Sequence, residues 1–143
     1  GALTIGTLDG ANVEIRDQVG EDNFFLFGLD ADEVAAKRSE GHDPAAYLAA
    51  DEELAAVLDL LDSGYFTHGE TDLLKPLTGS LRTVDHYLVL ADFRAYLEAQ
   101  AAVDAAWVDD HVWTKASILN AARSGYFSSD RAIREYAEKV WKV

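Results

Sequence analysis

Four consecutive apolar residues, Phe24-Phe25-Leu26-Phe27, stand between Asn23 and Gly28 with nothing polar among them. A strand with one wet face alternates, so an unbroken run signals a strand covered on both faces, as in a parallel sheet with helices on either side. A second strand is expected over Gly1 to Gly6, where Leu3 and Ile5 sit among glycines, and a third over His86-Tyr87-Leu88-Val89-Leu90. Between and after these runs the spacing is helical. Ala11 to about Gly20 reads as a short helix. Asp30 and Glu33 are placed as an N-cap and its reciprocal partner for a helix closed by Gly41. Asp43 to Asp62 carries Leu54, Val57, Leu58 and Leu61 on one stripe. Thr71 to Arg82, broken by Pro76 and Gly79, reads as mixed helix and loop. The remainder, residues 92–143, reads as a helical tail over Asp92 to Val108, Val112 to Ser124 and Asp130 to Lys142. In the last of these, Ile133, Tyr136, Ala137, Val140 and Trp141 share a face, and Ser128 or Ser129 is the natural cap. The expected class is therefore α/β, with about three strands followed by helices.

The charge excludes whole classes of partner. Twelve Lys and Arg against 26 Asp and Glu give a formal net charge of −14, which repels nucleic acid and anionic lipid. No apolar run approaches the roughly 20 residues of a membrane span, and no signal segment opens the chain. Cytosol is the expected compartment. Without cysteine, disulfides and thiolate metal sites are impossible. The absence of methionine points to processing or to a piece of a longer protein.

The chemistry-bearing residues are sparse. Gly6-Thr7-Leu8-Asp9-Gly10-Ala11-Asn12 joins a strand to a helix, a place where glycines allow a sharp turn and helix-start amides can face an anion. Its spacing fits neither the dinucleotide fingerprint nor the P-loop. The bare pattern points first to the turn itself. His42, His68, His86 and His111 are scattered, with no pair at metal-ligand spacing, and read as solvated or half-buried imidazoles. Asp30, Asp32 and Glu33 are helix-start acids, since the rest of a calcium loop is lacking. Asp51-Glu52-Glu53 and Asp109-Asp110 read as solvated faces or turns, and Trp107, Trp113 and Trp141 as core anchors. No metal site and no complete catalytic set emerges.

Longer stretches carry more. Residues Gly1 to Ile15 resemble the segment that follows the cofactor lysine in the α-glucan (glycogen, starch, maltodextrin) phosphorylases, and Asn23 to Gly28 is similar to that family's next strand. Ser63-Gly64-Tyr65-Phe66 and Ala91 to Tyr96 fall where similar segments are expected. The longest match, Ser117 to Arg131, continues through Ile133, Glu135-Tyr136-Ala137 and Trp141. Trp107, in place of a tyrosine, and Ala132, in place of a threonine, depart from the pattern at packing positions; Thr67 to Arg82 is the least family-like part.

The resemblance implies a C-terminal portion of the second, pyridoxal phosphate-binding domain of an enzyme with two Rossmann-like domains of the glycosyltransferase-B type. The whole would transfer a glucosyl unit from an α-1,4-glucan to inorganic phosphate, giving glucose 1-phosphate, and would form a homodimer. In the family the Schiff-base lysine stands a few residues before the position of Gly1. None of Lys37, Lys75, Lys115, Lys139 and Lys142 has the matching context. No catalytic residue is therefore carried over, and Asp9, Gly10 and Asn12 are expected only to lie near the active site. The segment alone is expected to be inactive and, with an open sheet edge, to self-associate. The competing readings are a non-catalytic acidic interaction module of phosphorylase-like fold and a nucleotide-sugar transferase.

Overall fold

The computed structural model describes residues 2–143. Strand β1 (Thr4–Gly6) runs into helix α1 (Ala11–Val19), and a 3₁₀ turn (Glu21–Asn23) delivers the chain into β2 (Phe24–Leu26). β1 and β2 pair in parallel, with Thr4 opposite Phe24, Ile5 opposite Phe25 and Gly6 opposite Leu26. A parallel pair needs a crossover, and α1 supplies it. Of the strand expected from Gly1, Gly1 itself lies outside the described residues. Among the described residues, α2 (Ala31–Glu40), α3 (Pro44–Ala50), α4 (Glu52–Asp62), α5 (Lys75–Thr83), α6 (Val89–Trp107), α7 (Asp110–Arg123), α8 (Ser129–Glu135) and a π-helical stretch (Tyr136–Trp141) follow, with 3₁₀ turns at Tyr65–Thr67 and Ser124–Phe127. The α/β class holds, but among the described residues the sheet has two strands rather than three. None of the described helices is long and apolar enough to cross a membrane.

The missing strand has a physical explanation. At His86 to Leu90 the chain makes a turn and then the first residues of α6. Asp85, in the left-handed region at φ 41°, accepts from the amides of Val89 (2.8 Å) and Leu90 (3.0 Å). These are orphan donors of a helix start, and a carboxylate placed there fixes a helix whatever the β propensity of the residues that follow. Leu88 and Leu90 are buried because they enter the core from this corner.

The chain divides into two compact units, one of Gly1–Phe27 with Glu98–Val143 and one of Gly28–Leu97. In the first, Val19, Phe24, Ala99 and Ala116 are buried. In the second, Leu54, Leu58 and Leu90 form the centre, with Tyr47, Leu48, Leu61, Leu81 and Phe93 packed around them. Each such leucine contributes about 1.5–3 kcal/mol by leaving water. Asp30 and Glu33 form the expected capping box, each side chain bonded to the other's amide at 2.9 Å. The helix expected across Asp43 to Asp62 is two helices instead. Asp51 interrupts it, accepting from the amides of Glu53 and Leu54 and receiving Arg94, which also bonds Glu53. The Arg94 guanidinium holds the Asp51 carboxyl below its ordinary range. Of the acids at 51–53, Glu52 and Glu53 are exposed as expected, while Asp51 is a cap that shares Arg94 with Glu53.

Two of the three tryptophans are not core anchors. Trp107 is 63% exposed, its ring set edge-to-face on Trp113 at 4.8 Å, and Trp141 is 56% exposed beside Tyr136. Both stand at helix ends, where fewer neighbours can cover a large ring. The stripe of the last helix, Ile133, Tyr136, Val140 and Trp141, is likewise exposed.

After β2 the chain passes Gly28 at φ 78°, and a β-carbon there would meet the Asp92 carboxyl at 2.8 Å. Asp92 accepts from the Leu29 amide at 2.9 Å. Burial raises its pKa above the ordinary 3.8, opposed by that amide and assisted by the charges of Asp85 and Glu33. The folded state therefore binds this proton more tightly than the unfolded chain does. The associated stability is present at acid pH and is lost as pH climbs from 3.8 to the raised folded value. Asp92→Asn should flatten that part of the stability curve, so the difference between wild-type and variant unfolding free energies, measured by urea denaturation, should shift in favour of the variant as pH rises. A difference independent of pH would show that Asp92 titrates alike in both states.

Candidate functional site

The strand-to-helix corner at the carboxyl end of β1 is the place where parallel α/β folds bind ligands, and it holds all three residues expected near a site. Gly6 is buried, and a β-carbon there would lie 2.5 Å from Asn12 Nδ2. Asn12 uses that nitrogen to donate to the Thr7 carbonyl at 3.0 Å, pinning the start of α1 against the end of β1. Asp9 turns its carboxylate back to accept from the Gly10 amide at 2.7 Å, while its carbonyl accepts from Asn12. Gly10 is the N-cap at φ 54°, ψ −136°, a conformation open to glycine and strained for other residues. Asp9 and Gly10 are exposed and Asn12 is half-buried. The corner is fixed by its own hydrogen bonds; its reactive oxygens are the Thr7 hydroxyl and the Asp9 carboxylate, the latter turned back onto the Gly10 amide, and it holds no imidazole. It is built to position an adjoining segment.

A residue just over a hundred positions later holds the other end of α1. Arg123 on α7 donates to the carbonyls of Val19 (2.7 Å) and Gln18 (3.2 Å), which the helix terminus leaves unpaired. Asn120 donates to the Asn23 carbonyl at 3.1 Å just before β2. These two anchors lie inside the long family-like stretch Ser117 to Arg131. Sequence gave the resemblance but no role for them, since nothing local in Asn120 or Arg123 betrays a partner so distant. A cavity of about 330 Å³ beside β1 and α1, lined in part by Thr4, Ile15, Val19, Asn120 and Phe127, does not include Asp9, Gly10 or Asn12.

Gly6→Ala is expected to cost about 1–3 kcal/mol by overpacking, with Asn12 displaced from Thr7. In an Asn12→Ala background the same change should cost much less, because the obstructing nitrogen is gone. Chemical denaturation of the four proteins closes this cycle; equal costs in both backgrounds would refute the contact.

The residues present do not fit a pyridoxal phosphate site on their own. Lys75 pairs with Asp72 and Lys139 with Glu135, the Lys37 ammonium lies over the Tyr47 ring, and Lys115 is on α7 beside His111. None of these four takes part in the hydrogen bonds that fix the corner, and Lys142, the fifth, caps the final π-helical stretch. Among the described residues no group of three or more His, Asp or Glu converges as metal ligands. One histidine departs from the expected half-buried state: the His42 side chain is only 8% exposed and bonds the wholly buried Asp85 through Nε2 at 2.9 Å.

Comparison with known proteins covers the entire chain. The family profile of the carbohydrate phosphorylases matches residues 1–143. Glycogen phosphorylase of Synechocystis is 54% identical over all 143 residues, that of Pasteurella multocida 47%, and the human liver form 43%. The chain spans 17%, 18% and 17% of the length of these three relatives.

Proposed function

Because this chain belongs to the carbohydrate phosphorylase family, we propose that it forms the C-terminal portion of the cofactor-binding, Rossmann-like domain of an α-glucan phosphorylase. The whole protein would move a glucosyl unit from the non-reducing end of an α-1,4-glucan to inorganic phosphate, releasing glucose 1-phosphate, as a cytoplasmic homodimer using pyridoxal phosphate. The observation that carries this reading is a family match across all 143 residues that includes the Gly6 to Asn12 corner. No step of the reaction is assigned to residues of this chain. Their part is mechanical. Gly6, Asn12 and Gly10 set the corner, and Asn120 and Arg123 brace the helix behind it, so that whatever precedes β1 enters at a fixed angle. Placement of this kind governs rate because reacting groups must be held within a few tenths of an ångström of their productive geometry.

The 143-residue chain mixed with pyridoxal phosphate, maltodextrin and phosphate is expected to form no glucose 1-phosphate above background, since none of its five lysines stands in the sequence context of the family's cofactor lysine. A protein containing this segment together with the family's cofactor segment is expected to form it. Product from the short chain would overturn the mechanical role; no product from the longer, cofactor-loaded protein, or turnover of a UDP-sugar in its place, would overturn the phosphorylase reading. Nothing in the folded chain adds to its acidic composition in favour of an interaction module.

A further inference from the structure

Asp9-Gly10 is the only Asp-Gly step in the sequence, which has no Asn-Gly. In such a step the amide nitrogen after the aspartate can close on its side-chain carboxyl carbon, since glycine has no β-carbon to crowd that nitrogen. The corner sets this chemistry up. Gly10 N stands 2.7 Å from Asp9 Oδ1, which leaves the carboxyl carbon one covalent bond beyond the contact. Both residues are exposed, and a β-carbon on Gly10 would meet nothing within 4 Å, so only chain neighbours crowd the pair. Gly10 precedes α1, and its amide is not tied into the helix ladder. The Asp9 main chain is held on both sides, its amide donating to the Thr7 carbonyl at 2.9 Å and its carbonyl accepting from Asn12 at 3.2 Å. A contact held in this way persists, and persistence raises the effective concentration of the atoms that must join. Asp62-Ser63, where the following residue is also small, is arranged against the same step. The Asp62 carboxylate is occupied by Thr78 (2.5 Å) and Arg82 (3.2 Å), and the Ser63 amide donates to the Leu60 carbonyl at 3.3 Å.

We propose that Asp9-Gly10 is a site of spontaneous covalent modification, where the chain forms an aspartyl succinimide and from it an isoaspartyl linkage. In the first step Gly10 N bonds to Asp9 Cγ. The nitrogen gives up its hydrogen and the carboxyl its hydroxyl, and the two leave as one water. Neither an oxidant nor a second reactant is needed. Water then adds to either ring carbonyl. Addition at Cγ restores the aspartate. Addition at the main-chain carbonyl carbon breaks its bond to nitrogen, reroutes the backbone through the side chain and leaves that carbon as a free carboxylate. The isoaspartyl product has the same mass and one more methylene in its backbone. The carbonyl that accepts from Asn12 is then no longer part of a peptide unit, and the turn that holds Gly10 at φ 54° as the N-cap of α1 is displaced. The corner is therefore where this chain ages first, and the first turn of α1 is what loosens. Neither step uses a glucan, phosphate or a cofactor, so the inference stands apart from the phosphorylase reading.

The test holds the folded 143-residue chain in H₂¹⁸O near neutral pH, then digests it in ordinary water. The tryptic fragment 1–16 is followed by chromatography and electron-transfer fragmentation, which separate the two linkages of equal mass. That fragment should gain one ¹⁸O and divide into aspartyl and isoaspartyl forms, about ten times faster than the fragment carrying Asp62 and no more slowly than a free peptide of residues 1–16. Asp9→Asn should pass through the same ring faster still, with loss of ammonia, and Asp9→Glu, whose ring needs one more atom, should not react. In the converted chain the amides of Asn12 and Val13 should exchange with solvent faster, while that of Leu58 in the other unit stays as it was. Incorporation at Asp9 no greater than at Asp62, or reaction of the Asp9→Glu chain at the same rate, overturns the site. A folded-chain rate below that of the free peptide overturns it as well, because the corner would then protect the step that it is argued to promote.

Discussion

Asp85→Ala is expected to abolish cooperative unfolding of the 28–97 unit at room temperature or to bring it close to that point. The carboxylate is fully buried and accepts three hydrogen bonds, from the amides of Val89 and Leu90 and from His42 Nε2. Alanine leaves three buried or part-buried donors without their acceptor, and each such orphan costs about 1–3 kcal/mol. Small domains hold only about 5–15 kcal/mol in total, so the loss is comparable with the whole stability of a unit this size. Backbone strain is a separate matter, because Asp85 sits at φ 41°, which alanine tolerates poorly. Asp85→Asn separates the two effects. Asparagine adopts the left-handed region readily but offers one acceptor in place of two and turns a donor toward donors. If lost acceptors dominate, Asn should retain more than half the cost of Ala, and the Val89 and Leu90 amides should exchange with solvent far faster in both variants. A nearly neutral Asn variant would assign the effect to strain and remove the carboxylate's role as the clamp of α6.

That clamp also shows where sequence reading stops. Features set by close neighbours in the chain are legible. The glycine-bounded run at Phe24 to Leu26 forms its strand, the Asp30–Glu33 box forms its cap, and the Gly6 to Asn12 stretch makes its turn, because each depends on residues within a few positions. His86 to Leu90 misleads, since Leu88-Val89-Leu90 has the composition of a strand and its helical fate is decided by an aspartate just upstream whose other partner, His42, is 43 residues away. Asp51 hides in part for the same reason: its capping bonds go to the nearby amides of Glu53 and Leu54, but its ion pair depends on Arg94 on α6, 43 residues on. The supports of the candidate site, Asn120 and Arg123, act across 97 and 104 residues. No periodicity encodes such pairs. A resemblance over a long stretch marks them as positions of interest without saying what they touch.

Gly28→Ala carries the second large effect, and its cost has two parts that experiment can divide. At φ 78° an alanine pays about 1–2 kcal/mol for the left-handed backbone. Its β-carbon would also stand 2.8 Å from both the carboxyl carbon and Oδ2 of Asp92, and overpacking of this kind costs roughly another 1–3 kcal/mol. The Asp92 side chain can escape only by leaving the Leu29 amide, which would free the first residues after β2. Gly28→Asn and the double change Gly28→Ala with Asp92→Ser distinguish the contributions. Asparagine eases the backbone strain but keeps the collision, so it should remain strongly destabilised. The double variant clears the collision and keeps the strain, so only about 1–2 kcal/mol should remain relative to Asp92→Ser alone. Exchange protection at Leu29 should be lost in the single Ala variant. If the double variant is as unstable as the single one, the Asp92 contact is not what requires glycine at this position, and the backbone conformation alone accounts for it.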